Sequence, residues 1–185
     1  MDIKKVAVIG AGVMGSGIAA QIANAGTDVL LLDIVPKNAD DRDILAKSAL
    51  EKMLKTDPAP LMHPKNARRI RTGNTEDHLK DIADCDWIVE AVLENLDIKQ
   101  NLYKRIEEFR KPAAVISSNT SSIPLHLLTE GRSDGFKKHF LITHFFNPPR
   151  YMRLLEIVTS DDTDPAAAKH IAAYCDTALG KGIVP

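Results

Sequence analysis

His144 and Glu156 are the two side chains whose settings most demand a chemical explanation. His144 lies within Phe140-Leu141-Ile142-Thr143-His144-Phe145-Phe146, and Glu156 within Leu154-Leu155-Glu156-Ile157-Val158. A lone histidine in an apolar run is ordinarily a satisfied core residue. A carboxylate is costly to bury unless paired, so Glu156 needs a cationic or hydrogen-bonding partner. His144 is the natural one if the two strands are neighbours. A carboxylate on one ring nitrogen fixes the tautomer and raises the basicity of the other. The pair would then be a general base, taking a proton from an alcohol while hydride leaves its carbon.

A hydride needs an acceptor, and the N-terminal stretch Val6-Ala7-Val8-Ile9-Gly10-Ala11-Gly12-Val13-Met14-Gly15 is suited to hold one. An apolar strand stops at Gly10, a turn carries three glycines, and a helix opens at Val13 and Met14. That is the context of a dinucleotide-binding fingerprint. Gly10 allows the tight turn, Gly12 lets the backbone approach a pyrophosphate, and Gly15 lets helix and strand pack closely. The helix opening aims unpaired N–H groups at the phosphates. Asp33 ends the next strand, close to the spacing of roughly 20 residues expected of a ribose-binding acid. Taken alone, it also reads as a cap on the following turn. No arginine immediately follows it, which favours NAD over NADP, although Lys37 is nearby.

The elements that must position these groups alternate. Strands are expected over Ile3–Ile9, Val29–Leu32, Trp87–Val92, Ala114–Ser117, Phe140–Phe146 and Leu154–Val158. Helices are expected over Val13–Ala25, Leu96–Arg110 and Pro165–Leu179. The pattern predicts an α/β fold, a doubly wound and mainly parallel sheet. About residues 38–71 read as an inserted helical hairpin: one helix over Asp43–Lys55, a break at Pro58-Ala59-Pro60, and a second starting near Pro64. The polar segment Asn74–Asp84 is expected to hold a short helix. Ser118-Asn119-Thr120-Ser121-Ser122 is a polar loop at a strand end, with Ser121 or Ser122 as N-cap of a helix opened by Pro124. In such sheets the ligand lies outside the carboxyl ends of the strands, where Glu94, this loop, His144 and Asn147 all fall.

Composition narrows the function classes. The 185 residues carry 24 lysines and arginines against 25 acids, interspersed, so there is no basic field for nucleic acid. No apolar run approaches the ~20 residues of a membrane span, and no charged leader precedes the first strand. Cys85 and Cys175 lack C-x-x-C spacing and suit reduced thiols, hence a cytoplasmic setting. His63, His78, His126, His139 and His170 are scattered, so no metal is expected. Ser121, His144 and Glu156 are the residue types of a hydrolytic triad, but Ser121 lacks the Gly-x-Ser-x-Gly elbow. Lys52, Lys55 and their basic neighbours on the insert read as a solvated face, or as contacts for an anionic substrate.

The glycine turn, Val89-Glu90-Ala91-Val92-Leu93-Glu94-Asn95-Leu96-Asp97-Ile98-Lys99, Ser118-Asn119-Thr120-Ser121, His144-Phe145-Phe146-Asn147-Pro148 and Leu155-Glu156-Ile157-Val158 follow one another as in the L-3-hydroxyacyl-CoA dehydrogenases. The whole chain resembles that family's Rossmann-type NAD-binding domain. The resemblance implies oxidation of (S)-3-hydroxyacyl-CoA to 3-ketoacyl-CoA with NAD, in fatty-acid β-oxidation. It makes His144 the base, Glu156 its partner and Ser121 a neighbour of the substrate's 3-oxygen. Asn147 would serve both cofactor and substrate, and Glu94 and Lys99 would line the NAD site. The insert matches the CoA-contacting region, where Lys52 and Lys55 are the candidates. The family adds an all-helical domain for substrate and dimerisation. Here Gly180-Lys181-Gly182-Ile183-Val184-Pro185 leads into a new strand and the chain stops. The resemblance thus predicts a piece of a longer protein, a homodimer or part of a multifunctional β-oxidation protein. The piece is expected to bind NAD and to turn over weakly or not at all. The alternative is a dinucleotide-binding protein without catalysis.

Overall fold

The computed structural model describes residues 2–185. Eight strands form one sheet in the order β3-β2-β1-β4-β5-β6-β7-β8. They are β1 (Lys5–Ile9), β2 (Asp28–Asp33), β3 (Ile70–Asn74), β4 (Trp87–Glu90), β5 (Val115–Ser118), β6 (Phe140–Phe145), β7 (Leu154–Val158) and β8 (Gly182–Val184). All neighbours pair in parallel except β6 and β7. The helices are α1 (Val13–Asn24), α2 (Ile44–Met53), α3 (Leu96–Phe109), α4 (Leu125–Leu128), α5 (Asp134–Lys138) and α6 (Pro165–Thr177).

The central strands are apolar throughout because both faces are covered, and alternate residues feed two cores. Val6, Val8, Val29, Leu31, Trp87 and Val89 pack with Ile18 and Ile22 of α1 and Ile171 of α6. Ala7, Ile9, Leu30, Leu32, Ile88 and Ile116 pack with Leu102, Tyr103 and Ile106 of α3 and Phe136 of α5. This is the doubly wound architecture that the alternation of elements predicts. Strand order reverses between β1 and β4, which opens a crevice at their carboxyl ends.

Several local expectations change. The insert holds one α-helix, α2, and its second arm is a 3-10 turn over Pro64–Arg69. The chain then runs straight into β3, which was not expected as a strand. Its sequence Ile-Arg-Thr-Gly-Asn is polar because β3 is an edge strand, with Arg71 turned to solvent. Ser121 and Ser122 do not cap a helix. Pro124 occupies the N-cap of the one-turn α4, with no side-chain cap, and Thr120 Oγ1 accepts the N–H groups of Ser122 and Ile123 instead. The short α5 also escaped the apolar periodicity. Its start is fixed by Ser133, whose hydroxyl accepts the Phe136 N–H.

Candidate active site

A cleft of about 870 Å³ opens at the switch point, walled by the glycine turn, Asp33, the segment after β4, Ser121 and the end of β6. The glycines are there for steric reasons. Gly10 has φ +106°, and a Cβ on it would press on the Ala91 carbonyl. A Cβ on Gly15 would run into the Gly10 carbonyl, so only glycine lets α1 approach β1 so closely. At Gly12 a Cβ would meet nothing within 4 Å. Gly12 borders the cleft, so its bare backbone is open to a ligand. No side chain caps α1 at Gly12, and its first turn holds no acid. Its leading N–H groups and positive dipole end therefore suit a phosphate.

Asp33 Oδ2 accepts the Ala11 N–H at 2.7 Å, and Oδ1 accepts the Ile34 N–H at 2.6 Å. The carboxylate thus fixes the turn and keeps lone pairs for ribose hydroxyls. Leu93 (74% exposed), Val13 (68%) and Ile34 (61%) are the most exposed large hydrophobic side chains among the described residues, and all three line this cleft. Apolar walls left open to water at a phosphate-binding turn fit a dinucleotide, whose rings would cover them.

At the other end of the cleft, His144 and Glu156 face each other across the antiparallel β6–β7 pair. His144 Nδ1 lies 2.8 Å from Glu156 Oε2. A carboxylate only accepts, so Nδ1 carries the proton and Nε2 is the basic nitrogen of the neutral ring. One premise is corrected: the Glu156 side chain is 45% exposed. Leu155 and Ile157 take the buried face of β7, and Glu156 stands with Leu154 and Val158 on the open one. Pairing with His144 follows from strand register, not from burial.

The remaining site residues fall into two groups. Ser121, Glu94 and Asn147 are exposed on the cleft wall, and Met14 stands beside Val13 at the turn. Glu94 Oε1 accepts the hydroxyls of Thr120 and Ser122, and Oε2 lies 3.2 Å from Lys99 Nζ. Burial works against its charged form, but the bonds from Thr120 and Lys99 prevail and hold its carboxyl below the usual range. Lys99 borders the cleft from beneath; it is 1% exposed and paired with Glu90 at 2.7 Å. Lys52 and Lys55 are exposed at the end of α2, away from the residues lining the cleft.

Glu90, beneath the site, and Arg105 drew no role from the sequence, and Asn119 was placed there only as a member of the Ser118–Ser122 loop. Glu90 read as one more member of a buried strand. Asn119 lines the cleft, and its Oδ1 accepts the Phe145 N–H at 2.9 Å, tying the serine loop to β6 next to His144. Arg105 reaches the Asp33 end, where it bonds the Thr75 carbonyl. Only its helical phase with Ile98 and Leu102, which line the same wall, could have pointed to it.

Comparison with known proteins agrees with this geometry. Residues 5–185 match the family described as 3-hydroxyacyl-CoA dehydrogenase, NAD binding domain. A probable 3-hydroxyacyl-CoA dehydrogenase of Deinococcus radiodurans is 53% identical over 184 residues, covering 100% of this chain and 53% of its own length. A peroxisomal fatty acid beta-oxidation multifunctional protein of Oryza sativa is 32% identical, over 89% of this chain and 22% of its own. The crystal structure of 3-hydroxybutyryl-CoA dehydrogenase from Escherichia coli superposes with a TM-score of 0.83 at 25% identity, covering 100% of this chain and 38% of that one. The chain thus spans about half the length, or less, of these relatives. It belongs to the 3-hydroxyacyl-CoA dehydrogenase family as its NAD-binding domain, and NAD is its cofactor.

Proposed function

We propose that this cleft serves oxidation of an (S)-3-hydroxyacyl-CoA to its 3-ketoacyl-CoA, with His144 as general base. The observation that carries the reading is the His144–Glu156 pair, held at 2.8 Å by strand register beside the NAD cleft. Bound NAD supplies the hydride acceptor. His144 Nε2 takes the hydroxyl proton as the C3 hydride departs and the carbon–oxygen bond becomes double. Glu156 stabilises the imidazolium that forms and holds its ring in place. Ser121 is assigned to the 3-oxygen, Asn147 to the substrate side of the cofactor, and Lys52 and Lys55 to the CoA moiety. The substrate class is argued from the relatives' names. The relatives' names also support a place for the parent protein in fatty-acid β-oxidation within a multifunctional protein. The cytoplasmic setting is argued from the unpaired cysteines, and a homodimer with an all-helical domain completing the site from the family resemblance.

In the full-length protein, His144→Gln should lower kcat for 3-hydroxybutyryl-CoA by roughly 10²- to 10⁴-fold, with NADH affinity retained. Turnover close to wild type in that variant would sink the base assignment. One observation favours a second reading for the 185-residue chain itself: Ser121 and Asn147 face solvent and half the Glu156 side chain is exposed. A catalytic site so open does not exclude water from the reacting centre. The chain alone should bind NADH in a fluorescence titration yet reduce acetoacetyl-CoA poorly. Full-length rates from the chain alone would overturn this.

A further inference from the structure

Glu90 ends β4 and is wholly buried, with 0% of its surface exposed. It does not line the cleft, yet the segment that follows it, Ala91–Glu94, does. A carboxylate survives such burial only when its lone pairs are met, and here four donors converge on it. Oε1 accepts Lys99 Nζ at 2.7 Å and the Val92 N–H at 2.8 Å. Oε2 accepts Ser118 Oγ at 2.6 Å and the Tyr103 hydroxyl. Burial first, and then the Glu90 charge, push the Tyr103 hydroxyl well above its ordinary range, so it remains a donor.

These bonds lead outward to the cleft in a short chain. The Lys99 ammonium is shared between Glu90 within and Glu94 at the wall. Glu94 in turn accepts the hydroxyls of Thr120 and Ser122, the residues on either side of Ser121. Ser118, the register partner of Glu90 on β5, begins the same loop. Asp33 and Gly12 lie outside this chain of hydrogen bonds, and Gly10 meets it only by packing on Ala91 and Val92. All of these line the one cleft. On the proposed reading the glycine turn and Asp33 would hold the phosphates and one ribose, and Glu94 and Ser121 would stand with His144 by the nicotinamide.

We propose that Glu90 is a positioning residue for the nicotinamide half of the NAD site, acting through Lys99, Glu94 and the Thr120–Ser122 loop. The inference rests on the reading that the nicotinamide lies beside His144. Without the Glu90 charge, the Lys99 ammonium moves to Glu94 alone and the loop loses its fixed anchor. The ADP-ribose half, held by other residues, is untouched.

The test uses the 185-residue chain and two probes, NADH and ADP-ribose, each titrated against wild type and Glu90→Gln, with circular dichroism melts to report folding. Glu90→Gln should weaken NADH by about tenfold, the loss of one charged hydrogen-bond partner, and leave ADP-ribose binding as it is. Unchanged NADH affinity in the folded variant would overturn the proposal, and so would an equal loss for both probes, which marks a merely structural role. Should Glu90→Gln fail to fold, Tyr103→Phe decides, because Tyr103 is buried, lies outside the cleft lining and bonds Glu90. It should weaken NADH selectively by a smaller factor; equal effects on both probes, or none, overturn the proposal. A wrong base assignment would appear separately, as turnover retained by His144→Gln, without altering these affinity ratios.

Discussion

Glu94 shows how one residue's titration couples the site to stability. Thr120 and Lys99 hold its carboxyl below the ordinary value of 4.5, against the opposing effect of burial. Because the folded value is the lower one, its contribution is present above the unfolded value and is lost as pH falls through the folded one. Thr120→Val removes one of those bonds. The variant should be less stable than wild type at neutral pH, and the gap should narrow as pH falls through the lowered Glu94 value. Urea unfolding at several pH values checks this. Glu156 acts on a different quantity. It bonds His144 and does not line the cleft, so with the proposed role of His144 Glu156→Gln should lower kcat of the full-length protein by roughly 10- to 100-fold while NADH affinity holds. A matching loss of NADH affinity would move Glu156 from the base to the cofactor.

At the scale of elements, two junctions fix the walls of the cleft. The α1–β1 junction depends on the missing Cβ at Gly15, which would otherwise strike the Gly10 carbonyl. Gly15→Ala should cost about 1–3 kcal/mol, as overpacking does, and should weaken NADH binding because the turn itself must move. A thermal melt and an NADH titration read the two effects separately. The second junction is Lys181, 2% exposed, whose ammonium bonds the carbonyls of Pro149 and Met152 and lies 5.5 Å from the Phe145 ring centre. It fastens β8 to the loop that continues from His144 through Asn147. Burial pushes its ammonium below the ordinary lysine range. Lys181→Met leaves both carbonyls without that donor and should cost about 1–3 kcal/mol in urea unfolding.

Across the whole molecule, the two cores flanking the sheet bury both thiols. Burial pushes Cys85 and Cys175 up to about 12. The thiolate is the reactive form, so the native chain should resist a thiol reagent at neutral pH until it unfolds. NADH at a hundred times its Kd should stabilise the fold by about 2.7 kcal/mol and slow labelling of both cysteines further. Rapid labelling with NADH bound would contradict the placement of both residues in the core.

The sequence by itself determined the sheet and the cofactor turn. Continuous apolar runs can be buried only between two helical layers, and three glycines between a strand and a helix leave few other uses. It also marked His144 and Glu156, because polar groups inside apolar strands stand out against their surroundings, and Ser121 and Asn147 through their motifs in segments that follow strands. It did not reveal β3, whose edge position permits a polar sequence, nor the hub at Glu90. A buried carboxylate within Trp87-Ile88-Val89-Glu90 looks the same in one dimension whether its partners exist or not. Those partners lie on α3 and β5, and only tertiary packing brings them together. Register decided the His144–Glu156 pair as well. A shift of one residue between β6 and β7 would place His144 and Glu156 on opposite faces of the sheet, and no local feature of either strand fixes that choice.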